Sequence, residues 1–286
     1  MNCAGKAALA VFCALFGAGG VASAPLDTAA TAADAILLMP HRAVYDLKIT
    51  RLRYSSIAEP VNGRIFYDFS GNSCEGYALR FRQVSELDIG EGKGAVSDLR
   101  ATTWEDGAAT TYHFNSQNRV DEKTVESVDG QAQRGKAGVA VNLTKPAAKN
   151  FQTDPSLVFP TEHLRRIIAA AHAGEALLVV PVYDGSENGE KIFSTTTVIG
   201  RPIPPDQRIP ADAAAGRAEL AGLTRWPVTI SYFDQGAKAG AQMPDFSFGF
   251  ELYENGISRA LVLDYGNFVV SGEMTTLEIG TIKPCP

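Results

Sequence analysis

The chain has 286 residues, of which 45% are hydrophobic and 20% charged, and its formal net charge at pH 7 is −6. This acidic balance argues against a nucleic-acid partner, which needs a basic face, and against simple electrostatic adhesion to anionic membranes. The length suffices for one large β domain, or two small ones, with a sizeable core.

The first 24 residues have the pattern of a secretory signal peptide. Lys6 makes the start weakly basic, residues 7–21 are almost wholly apolar, and residues 22–24 are small, as a cleavage site requires. The apolar run is too short to span a membrane, and no later stretch is long enough, so no transmembrane segment is predicted after signal removal. Residues 25–40, rich in Ala and Thr, predict a flexible lead-in.

From Val44 onward, segments rich in β-branched and aromatic residues alternate with Gly, Asn and Asp turns. This pattern predicts about fourteen strands joined mostly by short turns, which implies antiparallel pairing. The predicted strands are 44–51, 61–71, 76–89, 96–105, 110–115, 124–133, 137–143, 177–183, 191–200, 226–233, 245–254, 257–265, 267–272 and 274–279.

One amphipathic helix is predicted between the seventh and eighth of these strands. Thr161 is its expected N-terminal cap, and Gly174 is expected to end it. Its apolar stripe, spaced i, i+3, i+4 and i+7, consists of Leu164, Ile167, Ile168 and Ala171. The four prolines of residues 201–216 predict a long surface loop.

The best-defined hairpin centres on Asn255-Gly256, the favoured two-residue turn. Counting outward places a set of large apolar side chains on one face of the hairpin. This candidate apolar ligand face consists of Phe246, Phe248, Phe250, Leu261 and Leu263, with Tyr265 expected opposite the first of them. Two interpretations stay open: the face lines a cavity for a lipid or acyl chain, or the helix stripe fills that space as solid core.

No catalytic, cofactor-binding or metal-binding residue is predicted. The four histidines lack metal-ligand spacing, and no nucleophile motif is present. Glu105 and Asp106 are adjacent carboxylates, but Asp106-Gly107 is a hairpin signal, and neighbouring strand residues point to opposite faces. A hydrolase acting on envelope polymers is therefore the weakest alternative.

Only Cys74 and Cys285 remain outside the predicted signal peptide. In an oxidising compartment two such thiols tend to pair, so a disulfide is predicted. It would close a loop of about 212 residues, which the chain-entropy model values at about 5 kcal/mol.

Several short segments, spread over nearly the whole mature length, are together typical of one family. They are residues 41–47 (HRAVYDL), 74–77 (CEGY), 103–105 (TWE), 159–163 (FPTEH), 231–234 (SYFD), 250–256 (FELYENG) and 264–265 (DY). Through them the chain resembles the EipB family of cell-envelope integrity proteins from the periplasm of alphaproteobacteria.

The resemblance implies one mainly β domain over residues 41–286. Its expected architecture is a large antiparallel β-spiral, or incomplete barrel, with one or two helices packed in or against it, similar in shape to the lipoprotein carriers LolA and LolB. The implied role is non-enzymatic support of envelope integrity by binding or scaffolding. A tetratricopeptide-repeat envelope protein is the implied partner, and a carrier for a lipid or lipoprotein is the alternative function.

Overall fold

The computed structural model describes residues 36–52, 59–88, 94–205, 207, 212–214, 217–236 and 243–285. The predicted signal peptide, the lead-in up to residue 35 and part of the proline-rich loop lie outside these ranges and stay predictions.

Fourteen strands form one antiparallel sheet in the described part of the chain. They are β1 His41–Leu52, β2 Glu59–Asn72, β3 Gly76–Asp88, β4 Gly94–Glu105, β5 Thr111–Val120, β6 Lys123–Gly135, β7 Gly138–Lys145, β8 Lys149–Thr153, β9 Leu177–Val182, β10 Phe193–Ile199, β11 Arg225–Asp234, β12 Phe246–Tyr253, β13 Ser258–Asp264 and β14 Phe268–Ile279. A 3₁₀ turn, Ala218–Leu220, and the helix α1, Pro160–His172, complete the elements.

The sheet is open, with β8 at one edge and β9 at the other. Every neighbouring pair is consecutive in the chain except β1 and β14, which join the run β1–β8 to the run β9–β14. Helix α1 connects the two edge strands. Just before it, Val158 donates and accepts backbone hydrogen bonds with Pro181 and Tyr183 of the β9 edge. The predicted mainly β, incompletely closed architecture with one helix is confirmed.

The predicted number of strands agrees with the structure although two assignments were wrong. Strand β8 was missed because Phe151 is the only large apolar residue in a short polar run. Strand β14 was predicted as two strands because Gly272 resembles a break. In the structure Gly272 lies inside the strand, where an added Cβ would come within 3.0 Å of Leu261 and 3.1 Å of Leu47. The glycine therefore permits close packing inside the sheet.

The β12–β13 hairpin has a three-residue loop, residues 254–256, where a two-residue turn was predicted. Tyr253 donates its backbone N–H to the carbonyl of Ile257 across the loop. The extra residue is compensated by a bulge near Ala260, which has a φ of 52°. Beyond the bulge the predicted register holds, with Phe248 opposite Leu263.

The N-terminus of α1 corrects the predicted cap. The residue in the cap position is Phe159, which makes no side-chain hydrogen bond to the helix. The carboxylate of Glu105, from the end of β4, instead accepts the backbone N–H groups of Thr161 at 2.7 Å and Glu162 at 2.8 Å. A side chain more than 50 residues away in sequence therefore satisfies the orphan donors that a local cap usually satisfies.

The C-terminus of α1 is as predicted. Gly174 follows the last helical turn with a φ of 75°, a conformation that suits glycine. Its N–H donates to Ala171, and the N–H of Glu175 donates to Ala170, which is the Schellman pattern. No helix in the described ranges is long and apolar enough to cross a membrane.

Helix α1 is packed inside the curved sheet. Ile167 and Ile168 belong to the main hydrophobic core, together with inward-facing residues from both halves of the sheet. Arg165 is also buried and donates to the backbone carbonyl of Gly107, so the helix is held by polar as well as apolar contacts.

Cys74 and Cys285 lie at disulfide distance, with Cα atoms 5.8 Å apart. Cys74 sits in the turn between β2 and β3, where its backbone N–H donates to Asn72. The structure thus supports the predicted disulfide, which holds the chain beyond β14 against the β2–β3 hairpin.

Candidate functional site

A cavity of about 370 Å³ lies between helix α1 and the inner faces of the two halves of the sheet. Its lining is mostly aromatic and aliphatic: His41, Tyr45, Ile65, Tyr67, Phe81, Pro160, His163, Leu164, Ile167, Val182, Asp184, Ile230, Tyr232, Phe246, Phe248, Phe250, Gly256, Ser258, Leu261 and Leu263. Ligand sites in proteins are typically concave, largely apolar and roughly 300–1,000 Å³, so this cavity has the size and character of a small-molecule site.

All five residues of the candidate apolar ligand face line this cavity. The period-2 alternation of β12 and β13 points them to the same side of the sheet. The end of this face formed by Phe250 and Leu261 is the more deeply buried: these side chains are only 7% and 5% exposed. At the other end the ring of Phe246 stacks on Tyr232, with centroids 4.3 Å apart, which fixes the orientation of the aromatic wall.

The predicted helix stripe occupies part of the interior and leaves the cavity beside it. Ile168 is fully buried in the core, whereas Leu164 and Ile167 face the cavity. The sequence analysis left two interpretations open, a ligand cavity and a core filled by the helix. Each of them describes one part of the same interior.

Two histidines in the cavity lining were not predicted as site residues. Burial lowers the pKa of His41, whose Nδ1 lies 2.8 Å from the carbonyl oxygen of Met39. Because that oxygen only accepts, Nδ1 carries the proton of the neutral ring. Burial, aided by the charge of Arg166, lowers the pKa of His163 to about 4. Both imidazoles are therefore neutral at pH 7. The two residues lie far apart in the sequence, so no local motif identifies them as neighbours.

The remaining polar groups of the lining are hydroxyls and one acid. Tyr45 donates its hydroxyl to the carbonyl of Ser258, which ties β1 to the β12–β13 hairpin. Burial raises the pKa of Asp184, although its carboxylate accepts the N–H of Ser186. No lysine or arginine lines the cavity in the described part of the chain. An anionic head group would find no positive partner there, so the cavity suits a neutral, apolar group.

The adjacent carboxylates at the end of β4, Glu105 and Asp106, both accept backbone hydrogen bonds that stabilise the local fold. Glu105 is 1% exposed and both of its oxygens bind the helix N-terminus. Asp106 accepts the backbone N–H groups of Thr110 at 2.6 Å and Thr111 at 3.1 Å, as expected for a turn residue. Within the described ranges, no group of three or more His, Cys, Asp or Glu side chains is placed to hold a metal ion.

Comparison with known proteins connects this geometry to one family. The family model described as EipB-like matches residues 32–281. A protein of Brucella abortus (strain 2308) named cell envelope integrity protein EipB is 36% identical over 251 residues, covering 88% of each chain. A crystal structure from Brucella abortus, described as a β-barrel-like protein of the domain of unknown function DUF1849, is similar with a TM-score of 0.78 and 34% identity. It covers 86% of this chain and 100% of that one.

Proposed function

We propose, from the premise that this chain belongs to the EipB-like family, that it maintains the cell envelope as a non-enzymatic binding protein of the periplasm. The ligand is an apolar chain, such as the acyl chain of a lipid or lipoprotein, held in the cavity beside α1. The name of the Brucella relative supports the envelope role. The predicted signal peptide and disulfide support the compartment.

The observation that carries the binding role is the aromatic cavity itself. Burying an apolar chain against its lining removes apolar surface from water, which contributes roughly 25 cal/mol per Å². Because no cationic side chain of the described residues lines the cavity, a charged head group stays at the mouth or outside it. Binding therefore depends on the chain and tolerates different head groups.

Native mass spectrometry of protein purified gently from the periplasm tests this proposal directly. We expect extra mass of lipid size that is released on denaturation. A protein that carries no extra mass, and that binds no fluorescent fatty-acid probe after purification, contradicts the proposal and favours a scaffolding role.

Filling the cavity is expected to abolish probe binding without unfolding the protein. Leu263→Trp adds a large apolar ring on the inner face of β13, where Leu263 lines the cavity. Because this ring occupies existing space, we expect a melting temperature near that of the wild type and a loss of probe affinity of about tenfold or more. Titration with a fluorescent fatty-acid probe measures the affinity.

The matched control is Val262→Trp, at the neighbouring position of the same strand. Val262 points to the outer face and is 44% exposed, so its replacement leaves the cavity unchanged. Equal probe affinity in the Leu263→Trp and Val262→Trp variants would place the probe elsewhere and contradict the cavity proposal.

A protein partner is the second part of the proposed function. A tetratricopeptide-repeat envelope protein, docking through the loop of residues 201–216, would let a binding protein act as a scaffold. In that loop Asp212 forms a buried ion pair with Arg259, so part of it is anchored to the domain. Deleting residues 204–210, which spares Asp212 and the backbone hydrogen bonds between Ile203 and Arg225, is expected to abolish co-purification of the partner while fatty-acid probe binding persists. Unaltered co-purification would exclude the loop as the docking site.

A further inference from the structure

A second concave site of about 540 Å³ lies on the outer face of the sheet, on the side opposite the cavity. This outer groove crosses strands β1 to β6, and its lining is mixed aromatic and polar: Arg42, Asp68, Ser70, Ala78, Arg80, Thr102, Thr103, Trp104, His113, Phe114, Asn115, Asp129 and Gly130. It has depth because Ala78, which lies opposite Trp104 on the neighbouring strand, has a small side chain.

Trp104 is held in a fixed position on the wall of the groove. Its indole N–H donates to the backbone carbonyl of Glu75 at 3.3 Å. The six-membered ring lies over Gly76, where an added Cβ would be 2.8 Å from two of its atoms. The imidazole of His113, on the neighbouring strand, is 5.6 Å from the indole centroid. The chain has only two tryptophans, and this one is half-buried on the outer face, where the core does not require it.

The polar groups of the outer groove are also organised. Asn115 donates its side-chain amide to the carboxylate of Asp129 at 2.5 Å, and Asp129 also accepts the hydroxyl of Thr144. Arg42 pairs with Asp68 at 3.3 Å on the other side. With Arg80, the groove contains two cationic and two anionic side chains, so its formal charge is zero apart from His113.

The aromatic side chain and the balanced charges of the outer groove favour one class of ligand over others. The carboxylates oppose the phosphates of a nucleic acid, and no excess of positive charge compensates them. All six strands of the groove are paired on both sides, so a peptide finds no free backbone edge to extend. A sugar ring, in contrast, presents C–H groups to an aromatic face and hydroxyls that both donate and accept hydrogen bonds.

We propose that the outer groove binds a neutral glycan segment. The indole of Trp104 packs against the C–H face of one sugar ring, and the side chains of Arg80, Asn115 and Asp129 hydrogen-bond the hydroxyls. This site is independent of the cavity, so its test does not depend on the outcome for the apolar ligand.

Defined tetrasaccharides, cellotetraose and tetra-N-acetylchitotetraose, serve as probes for the mature protein. We expect saturable binding of at least one of them in calorimetry, with a dissociation constant of about 1 mM or tighter. In a Trp226→Phe background Trp104 is the only tryptophan, so its fluorescence is expected to change during the same titration. Trp104→Ala is expected to weaken binding by about tenfold or more.

Two further variants keep the test decisive. Asn115→Leu leaves Trp104 in place and is expected to weaken binding even if Trp104→Ala misfolds. Phe66→Ala changes an aromatic residue that is 40% exposed on the same outer face but does not line the groove, so binding should be unchanged. The proposal is overturned if neither tetrasaccharide binds the wild type, or if Trp104→Ala and Asn115→Leu are folded and bind as the wild type does.

Discussion

Replacing Cys285 with serine is expected to lower the free energy of unfolding by up to about 5 kcal/mol. The bond to Cys74 spans a sequence separation of 211 residues, so its loss frees a very long loop in the unfolded chain. Loop-closure entropy grows with loop length, which makes this the single covalent change with the largest expected effect on stability. Guanidinium denaturation of the oxidised wild type and of the Cys285→Ser variant measures the difference.

The double variant Cys74→Ser/Cys285→Ser removes any artefact of a lone thiol and should show the same loss. Reductant should lower the stability of the wild type toward that of the double variant and leave the double variant unchanged. Two reactive thiols in native protein prepared from the periplasm, or denaturation midpoints that coincide, would refute the stabilising disulfide.

The local pattern of the sequence predicted most of the fold because one side of nearly every strand is buried. Alternation such as that of β12 reports which face is inward, and the register of Phe248 with Leu263 follows from it. Strand β8 escaped prediction because an edge strand with one apolar residue, Phe151, leaves little periodic signal. The three-residue loop escaped because the bulge at Ala260 restores the register that a two-residue turn would give.

The candidate site was predictable only in part, for a similar reason. The aromatic wall of β12 and β13 is a local pattern, so the sequence identified it. His41, Tyr67 and His163 lie on three different elements and reach the cavity only when the sheet curves around α1. The N-terminal contact between Glu105 and the helix is equally long-range, and the local pattern favoured Thr161 as the cap.

The titration of Glu105 is expected to make the protein less stable as pH rises, whereas a carboxyl group with a lowered pKa has the opposite effect. Burial raises the pKa of this carboxyl from 4.5 to about 7, despite the two N–H groups it accepts and the nearby charge of Arg165. Between these values the folded state keeps a proton that the unfolded state has released. Stability from this group is therefore lost as pH rises from about 4.5 to 7, by about 3 kcal/mol. Glu105→Gln removes the titration, so its stability relative to the wild type should improve by that amount across the window.

His163 is expected to act in the opposite direction. Its folded pKa of about 4 lies below the ordinary value of 6.5, because burial and the charge of Arg166 disfavour the imidazolium. Between these values the unfolded state binds a proton that the folded state does not. Stability is therefore lost as pH falls from about 6.5 to 4, again by about 3 kcal/mol. His163→Gln should lose less stability on acidification than the wild type.

The two titrations overlap between about pH 4.5 and 6.5, so in the wild type they oppose each other. Urea denaturation at several pH values should separate them. Relative to the wild type, Glu105→Gln should gain stability with rising pH because the contribution of Glu105 is removed, and His163→Gln should lose stability because the contribution of His163 is removed. The double variant removes both contributions and should run parallel to the wild type over the shared window. If Glu105→Gln instead runs parallel to the wild type, Glu105 is already ionised in the folded protein, and the N–H groups of the helix outweigh its burial.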